Sequence, residues 1–103
     1  MSYKVKLSIP AETDLDGIVR YIVFKLKNPQ AARDLLDEYD PKLANIASNP
    51  RLYGLSRIER LARMGYRRFD FGNYVAFYTI DEPNRTVFIV RIFYQRQDYA
   101  NIL

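Results

Sequence analysis

The apolar period of this chain changes at Tyr66. From Leu15 to Leu61, large apolar side chains recur every three or four positions; after Tyr66, every second one. A helix repeats a face every ~3.6 residues and a strand every two, so the chain divides into a helical part and a strand part. Phe69 and Phe71 read as inward residues of a short strand, Gly72-Asn73 as a turn, and Tyr74 to Ile80 as a second strand. Asp81-Glu82-Pro83-Asn84-Arg85 turns the chain again into Thr86 to Tyr94. In that last run Val87, Ile89 and Phe93 are expected on one face, with Phe88, Val90 and Ile92 on the other. Two apolar faces mark a central strand covered on both sides.

The first half sets what lies on this sheet. Tyr3, Val5, Leu7 and Ile9 alternate with polar residues, which predicts a strand buried on one side. Ser8-Ile9-Pro10 then starts a helix, with Glu12, Asp14 and Asp16 near the positive end of its dipole. Leu15, Ile18, Val19, Ile22 and Leu26 form its apolar stripe. Asn28-Pro29 is a second start signal, a capping side chain before a first-turn proline. Ala32, Leu35, Leu36, Tyr39, Leu43, Ile46 and Ala47 continue at helical spacing. Pro41 removes a backbone donor inside that stripe, so a kink or break is expected near Tyr39-Asp40. Residues 51–65 are a connector with apolar residues every third position, enough for a short helical turn. The expected fold is one α+β domain over residues 1–103, ordered β-α-α-β-β-β. In it a two-helix hairpin packs on a small antiparallel sheet.

Composition narrows the chemistry. The chain has 103 residues, 49% of them apolar, with nine Tyr and six Phe to fill a core. It has no Cys, which removes disulfides, thiolate metal sites and thiol nucleophiles. It has no His, the commonest general base and metal ligand. No cofactor or metal is expected. The N-terminal residues lack the apolar core of a signal peptide, and no apolar run reaches membrane-spanning length. The expectation is a soluble cytoplasmic protein with no membrane partner.

Charge points to the partner. Residues 1–50 are balanced, with five Lys, two Arg and seven carboxylates. Residues 51–103 hold nine Arg, no Lys and five carboxylates, so the whole net charge of +4 sits there on arginine alone. Arginine's planar fork binds phosphate or carboxylate at two points. Three groups stand out. In Gly65-Tyr66-Arg67-Arg68-Phe69, a strand must send Arg67 and Arg68 to opposite faces. Arg91 lies among apolar strand residues and needs a carboxylate such as Asp70, unless it serves a ligand. The tail Tyr94-Gln95-Arg96-Gln97-Asp98-Tyr99 interleaves aromatic and basic groups, suited either to stacking on bases or to packing Tyr94 and Tyr99 on the core. Arg51, Arg57, Arg60 and Arg63 of the connector supply general attraction.

These pieces, in this order, resemble the RelE/ParE superfamily of toxins from type II toxin–antitoxin modules, the plasmid-stabilisation type. The resemblance covers nearly the whole chain: the helix Ala11 to Ile22, Asn28-Pro29-Gln30-Ala31-Ala32, Gly65 to Phe69, Asn73 to Tyr78, and Val87 to Tyr99. It implies a growth-arresting toxin, a cognate antitoxin, and one of two targets. The RelE-like branch implies an endonuclease cutting mRNA on the ribosome, in which a 2′-hydroxyl attacks its own phosphate. The ParE-like branch implies a non-enzymatic poison of DNA gyrase. RelE-like nucleases often have Arg after the middle-strand Tyr, where this chain has Val75 after Tyr74, and a His where Tyr94 stands. A tyrosine, with an ordinary pKa of about 10, is a poor base without a nearby cation.

The middle strand and the ending thus look closer to the ParE-like branch. If catalysis occurs, the candidates are Arg67, Arg68, Arg91, Tyr94 and Arg96; for target binding they are Arg67, Arg68, Arg96 and Tyr99. A basic interaction module without toxicity and a generic RNA-binding domain stay open, as does a homodimer.

Overall fold

The computed structural model describes residues 2–103. Its elements are β1 (Lys4–Leu7), α1 (Ile9–Arg20), a π-wound turn (Tyr21–Lys25), α2 (Pro29–Ser48), α3 (Glu59–Arg63), β2 (Arg67–Phe71), β3 (Tyr74–Asp81), β4 (Thr86–Tyr94) and a 3-10 turn (Tyr99–Asn101). The strand order is β1-β4-β3-β2. The last three strands form the expected antiparallel meander. The sheet as a whole is mixed rather than antiparallel, because β1 pairs parallel to β4, Lys4 beside Thr86 through Leu7 beside Ile89. The helical hairpin carries the chain back across the sheet before the meander begins, which leaves β1 and β4 running the same way.

Local chemistry fixes both helix starts. The Ser8 hydroxyl accepts from the Ala11 amide at 3.1 Å, and the Asn28 side chain accepts from Ala31 at 3.1 Å. Ile9 therefore begins a helix instead of ending a strand face, and it is 79% exposed. Of the expected kink or break at Pro41, the break does not occur: α2 runs through it. Pro41 and Asp37, whose carbonyl loses its donor, both face solvent, while Tyr39 and Ile46 are clamped in the core.

The sheet is covered on both faces. On one side Ala11, Ile22, Ala32, Leu35, Tyr39 and Ile46 of the hairpin pack on Phe69, Phe71, Ala76, Tyr78, Val87, Ile89 and Ile92. On the other, Leu61 of α3 joins Val75, Phe77 and Phe93, with Tyr99 and Leu103 against them. The expected face assignment of β4 changes midway. Tyr78 pairs with Ile89 but Phe77 with Arg91, so Val90 is an extra residue. That bulge reverses the alternation, sending Ile92 to the hairpin side with Val87 and Ile89, and Phe93 to the back.

Candidate functional site

Arg67 and Arg68 point to opposite faces, as strand geometry requires. Arg67 sits opposite Tyr78 on the hairpin side and donates to the Tyr53 carbonyl at 2.8 Å. Arg68 lies on the back face, its side chain 13% exposed, 2.6 Å from Asp70 and 3.5 Å from the Tyr99 hydroxyl. Burial works against its charge, but the Asp70 carboxylate outweighs that and leaves the guanidinium more basic than usual. Around these two the connector runs along the outer edge of β2, through a bridge between Leu55 and Arg67. A polar hollow of about 300 Å³ there gathers Lys42, Arg57, Arg68 and Asp70. The Lys42 ammonium donates to the Asp70 carbonyl. Elsewhere on the connector, Arg51 pairs with Glu82 at 2.5 Å and Arg63 with Glu59 at 3.6 Å.

Arg91 is paired, but with Asp14 of α1 and not with Asp70. Its Nε and Nη2 reach the Asp14 carboxylate at 2.8 and 3.2 Å, and its guanidinium lies 4.7 Å from the centre of the Phe93 ring. Asp70 is taken by Arg68, its neighbour on the same strand face. Asp14 also accepts the Ile92 amide at 2.9 Å. In the sequence, Asp14 stands out only as a partner of the α1 dipole. The signal that could have found it is the demand of Arg91 itself, since a half-buried arginine needs a carboxylate, and Asp14 precedes inward-facing Leu15.

Beyond Ile89, β4 has no β1 beside it, and α1 takes that place. The Ser8 amide donates to the Ile89 carbonyl at 2.9 Å, and the Ser8 hydroxyl to the Val90 carbonyl at 2.8 Å. Past these contacts a groove of about 810 Å³ opens between α1 with its π-wound turn and the end of β4. Ile18, Tyr21, Leu26, Tyr74, Ile92 and Tyr94 supply its apolar walls, and the Asp14–Arg91 pair lies at its polar end. Tyr74 and Tyr94 meet edge to face at 5.8 Å. Burial raises the Tyr74 phenol above its usual pKa, with Tyr94 and Tyr21 adding to the effect.

The candidates thus do not meet at one point. Tyr94 is 41% exposed at the groove, and Arg96 projects into solvent just beyond it. Tyr99 turns inward, stacked on Phe93 at 5.6 Å and against Phe77 at 5.2 Å. Arg68 and Arg91 each face their own carboxylate. Among the described residues no group of three carboxylates could hold a metal ion, and no helix is long and apolar enough to cross a membrane.

The two-helix hairpin on a four-stranded mixed sheet is a fold shared with chains from toxin–antitoxin systems. A chain of the RelBE2 toxin–antitoxin complex from Mycobacterium tuberculosis matches with a TM-score of 0.61 and 20% identity, over 94% of this chain and 95% of that one. A chain of the chromosomal ParDE system from P. aeruginosa matches with a TM-score of 0.67 and 19% identity, over 88% and 94%. No curated protein matches the chain. The family of ParE toxins of the type II toxin–antitoxin system parDE matches residues 5–99, and the chain belongs to it. It is a type II toxin of the ParE/RelE superfamily.

Proposed function

We propose that this toxin arrests growth in the ParE-like way, by binding and poisoning DNA gyrase, and not by cutting message. One observation carries the reading: Arg68 and Arg91, which a nuclease would aim together at a phosphate, are each engaged by a separate carboxylate, Asp70 and Asp14. Cleavage by an internal 2′-hydroxyl needs a base, an acid and cations placed around one phosphate, and each proton-transfer partner is worth about 10²–10⁴ in rate. A binding poison needs only a complementary surface. In this reading Arg96 and Tyr94 are open to a partner, while Arg68, Arg91 and Tyr99 hold the sheet and tail in shape.

A cognate antitoxin is the expected second partner, as both similar structures come from toxin–antitoxin complexes. The apolar groove beside β4 is the seat we assign it. The deciding experiment adds purified protein to a gyrase supercoiling assay and, separately, to ribosomes translating a defined message. Inhibited supercoiling with intact message is expected. Cuts in codon register with normal supercoiling would replace this reading by the RelE-like one.

A further inference from the structure

Between Gly17 and Arg33 the chain holds four cations, Arg20, Lys25, Lys27 and Arg33, and no carboxylate. The even balance of the first fifty residues conceals this. The segment is the closed end of the helical hairpin, and its backbone is unusual. The Leu26 amide donates to the Tyr21 carbonyl at 3.0 Å, and the Asn28 amide to Ile22 at 3.0 Å, so the helix ends in a wider winding. Such π-turns concentrate at functional sites. Lys27 then takes a φ of +52°, a left-handed conformation that a residue with a side chain adopts at a cost.

At this end the helix leaves two large apolar side chains in the open, Leu26 at the end of the stripe and Phe24 outside it. Phe24 is 71% exposed and Leu26 55% exposed. Lys25 and Lys27 are exposed beside them, and among the described residues neither joins an ion pair, nor does Arg33. Exposed Phe24 and Leu26 beside two unpaired lysines, on a strained turn, make a surface that is both apolar and cationic.

We infer that this tip is where the toxin grips its target, and that it meets an acidic protein surface with an apolar hollow for Phe24. The inference rests on the reading that the toxin works by binding a target protein. Charge complementarity selects the partner: Arg20 is paired with Asp16, whereas Lys25 and Lys27, which follow Phe24 in the chain, are compact point charges without the fork that favours phosphate, and the exposed ring beside them suits a protein pocket. Phe24, Lys25 and Lys27 do not line the groove beside β4. Target and antitoxin would then use neighbouring but different surfaces.

The test uses the whole chain with Lys25→Glu, Phe24→Ser and the control Lys25→Arg. Each is induced in a bacterial host, purified for the supercoiling assay, and melted by circular dichroism. The sites are exposed, so the fold is expected to survive; should one variant not fold, the other decides. The result expected is loss of growth arrest in Lys25→Glu and Phe24→Ser, with about tenfold more protein needed for equal gyrase inhibition, and wild-type behaviour of Lys25→Arg. Folded variants that arrest growth like wild type overturn the inference. Gyrase untouched by wild type while arrest still depends on the tip sinks the gyrase reading and leaves the inference standing. Gyrase inhibited equally by all variants does the reverse. Duplex DNA bound by wild type and released by Lys25→Glu assigns the tip to nucleic acid and overturns it. A wild-type chain that does not arrest growth overturns both.

Discussion

Asp14 joins Arg91 through two hydrogen bonds and, with the same carboxylate, accepts the amide of Ile92. One side chain thus balances a half-buried cation and closes a strand edge that β1 is too short to reach. Asp14→Ala leaves Arg91 uncompensated and Ile92 without its acceptor. We expect a loss of about 2 kcal/mol in urea unfolding, less than for a fully buried pair because both partners keep some contact with water. The double variant with Arg91→Ala should be less destabilised than the two single losses summed. Strict additivity would show that the pair does not couple.

Tyr39 poses the opposite case. Its hydroxyl is buried against Phe69 and Phe71 without a hydrogen-bond partner among the described residues. Tyr39→Phe removes an unsatisfied polar group and keeps the ring, so stability should rise by about 1 kcal/mol. Equal or lower stability on denaturant titration would show that the hydroxyl has a role.

The same residue sets an alkaline limit. Burial, helped by the charge of Asp40, pushes the Tyr39 phenol up to about 12, and burial pushes Tyr78 up to about 12 as well. The unfolded chain ionises both near pH 10 while the folded chain still holds the protons. Stability is therefore full below pH 10 and falls as pH rises from 10 to 12. Tyr39→Phe should make that fall shallower, which a series of melts across this range would reveal.

Two glycines separate strain from collision. Gly72 has a φ of +55°, and a Cβ there would lie 2.6 Å from the Leu35 side chain; Gly65 has a φ of +85° with open space around it. Gly65→Ala should cost about 1 kcal/mol, the backbone penalty alone, and Gly72→Ala roughly twice that. Similar losses in both would mean that Leu35 yields freely.

The tail divides in the same manner. Tyr99→Ala opens the back core beside Phe77 and Phe93 and should cost about 3 kcal/mol. Arg96→Ala, in solvent, should leave the melting temperature unchanged while weakening growth arrest. A destabilised Arg96→Ala would place that side chain in the fold.

Much of the architecture could be read directly. Ser8 and Asn28 announced their helices because a cap is a local device, and the meander followed from alternation and two turn signals. What escaped depended on longer range. The bulge at Val90 inserts one residue against a partner strand, and nothing in Val87 to Tyr94 marks it. The Asp14–Arg91 pair spans the fold, so the nearer Asp70 was the obvious acid. The exposure of Leu26 follows from the π-winding, which helical spacing does not reveal. The cationic tip was legible as a stretch without carboxylates, but averaging charge over the first half hid it.

The parallel pairing of β1 with β4 has a kinetic consequence. Lys4 and Thr86 come from opposite ends of the chain, and they meet only after the hairpin and the meander have brought them together. A contact so distant in sequence carries a large loop-closure cost and gains little until its neighbours are in place. We therefore expect the strand that is made first to dock last, with the edge of β4 open while folding is under way.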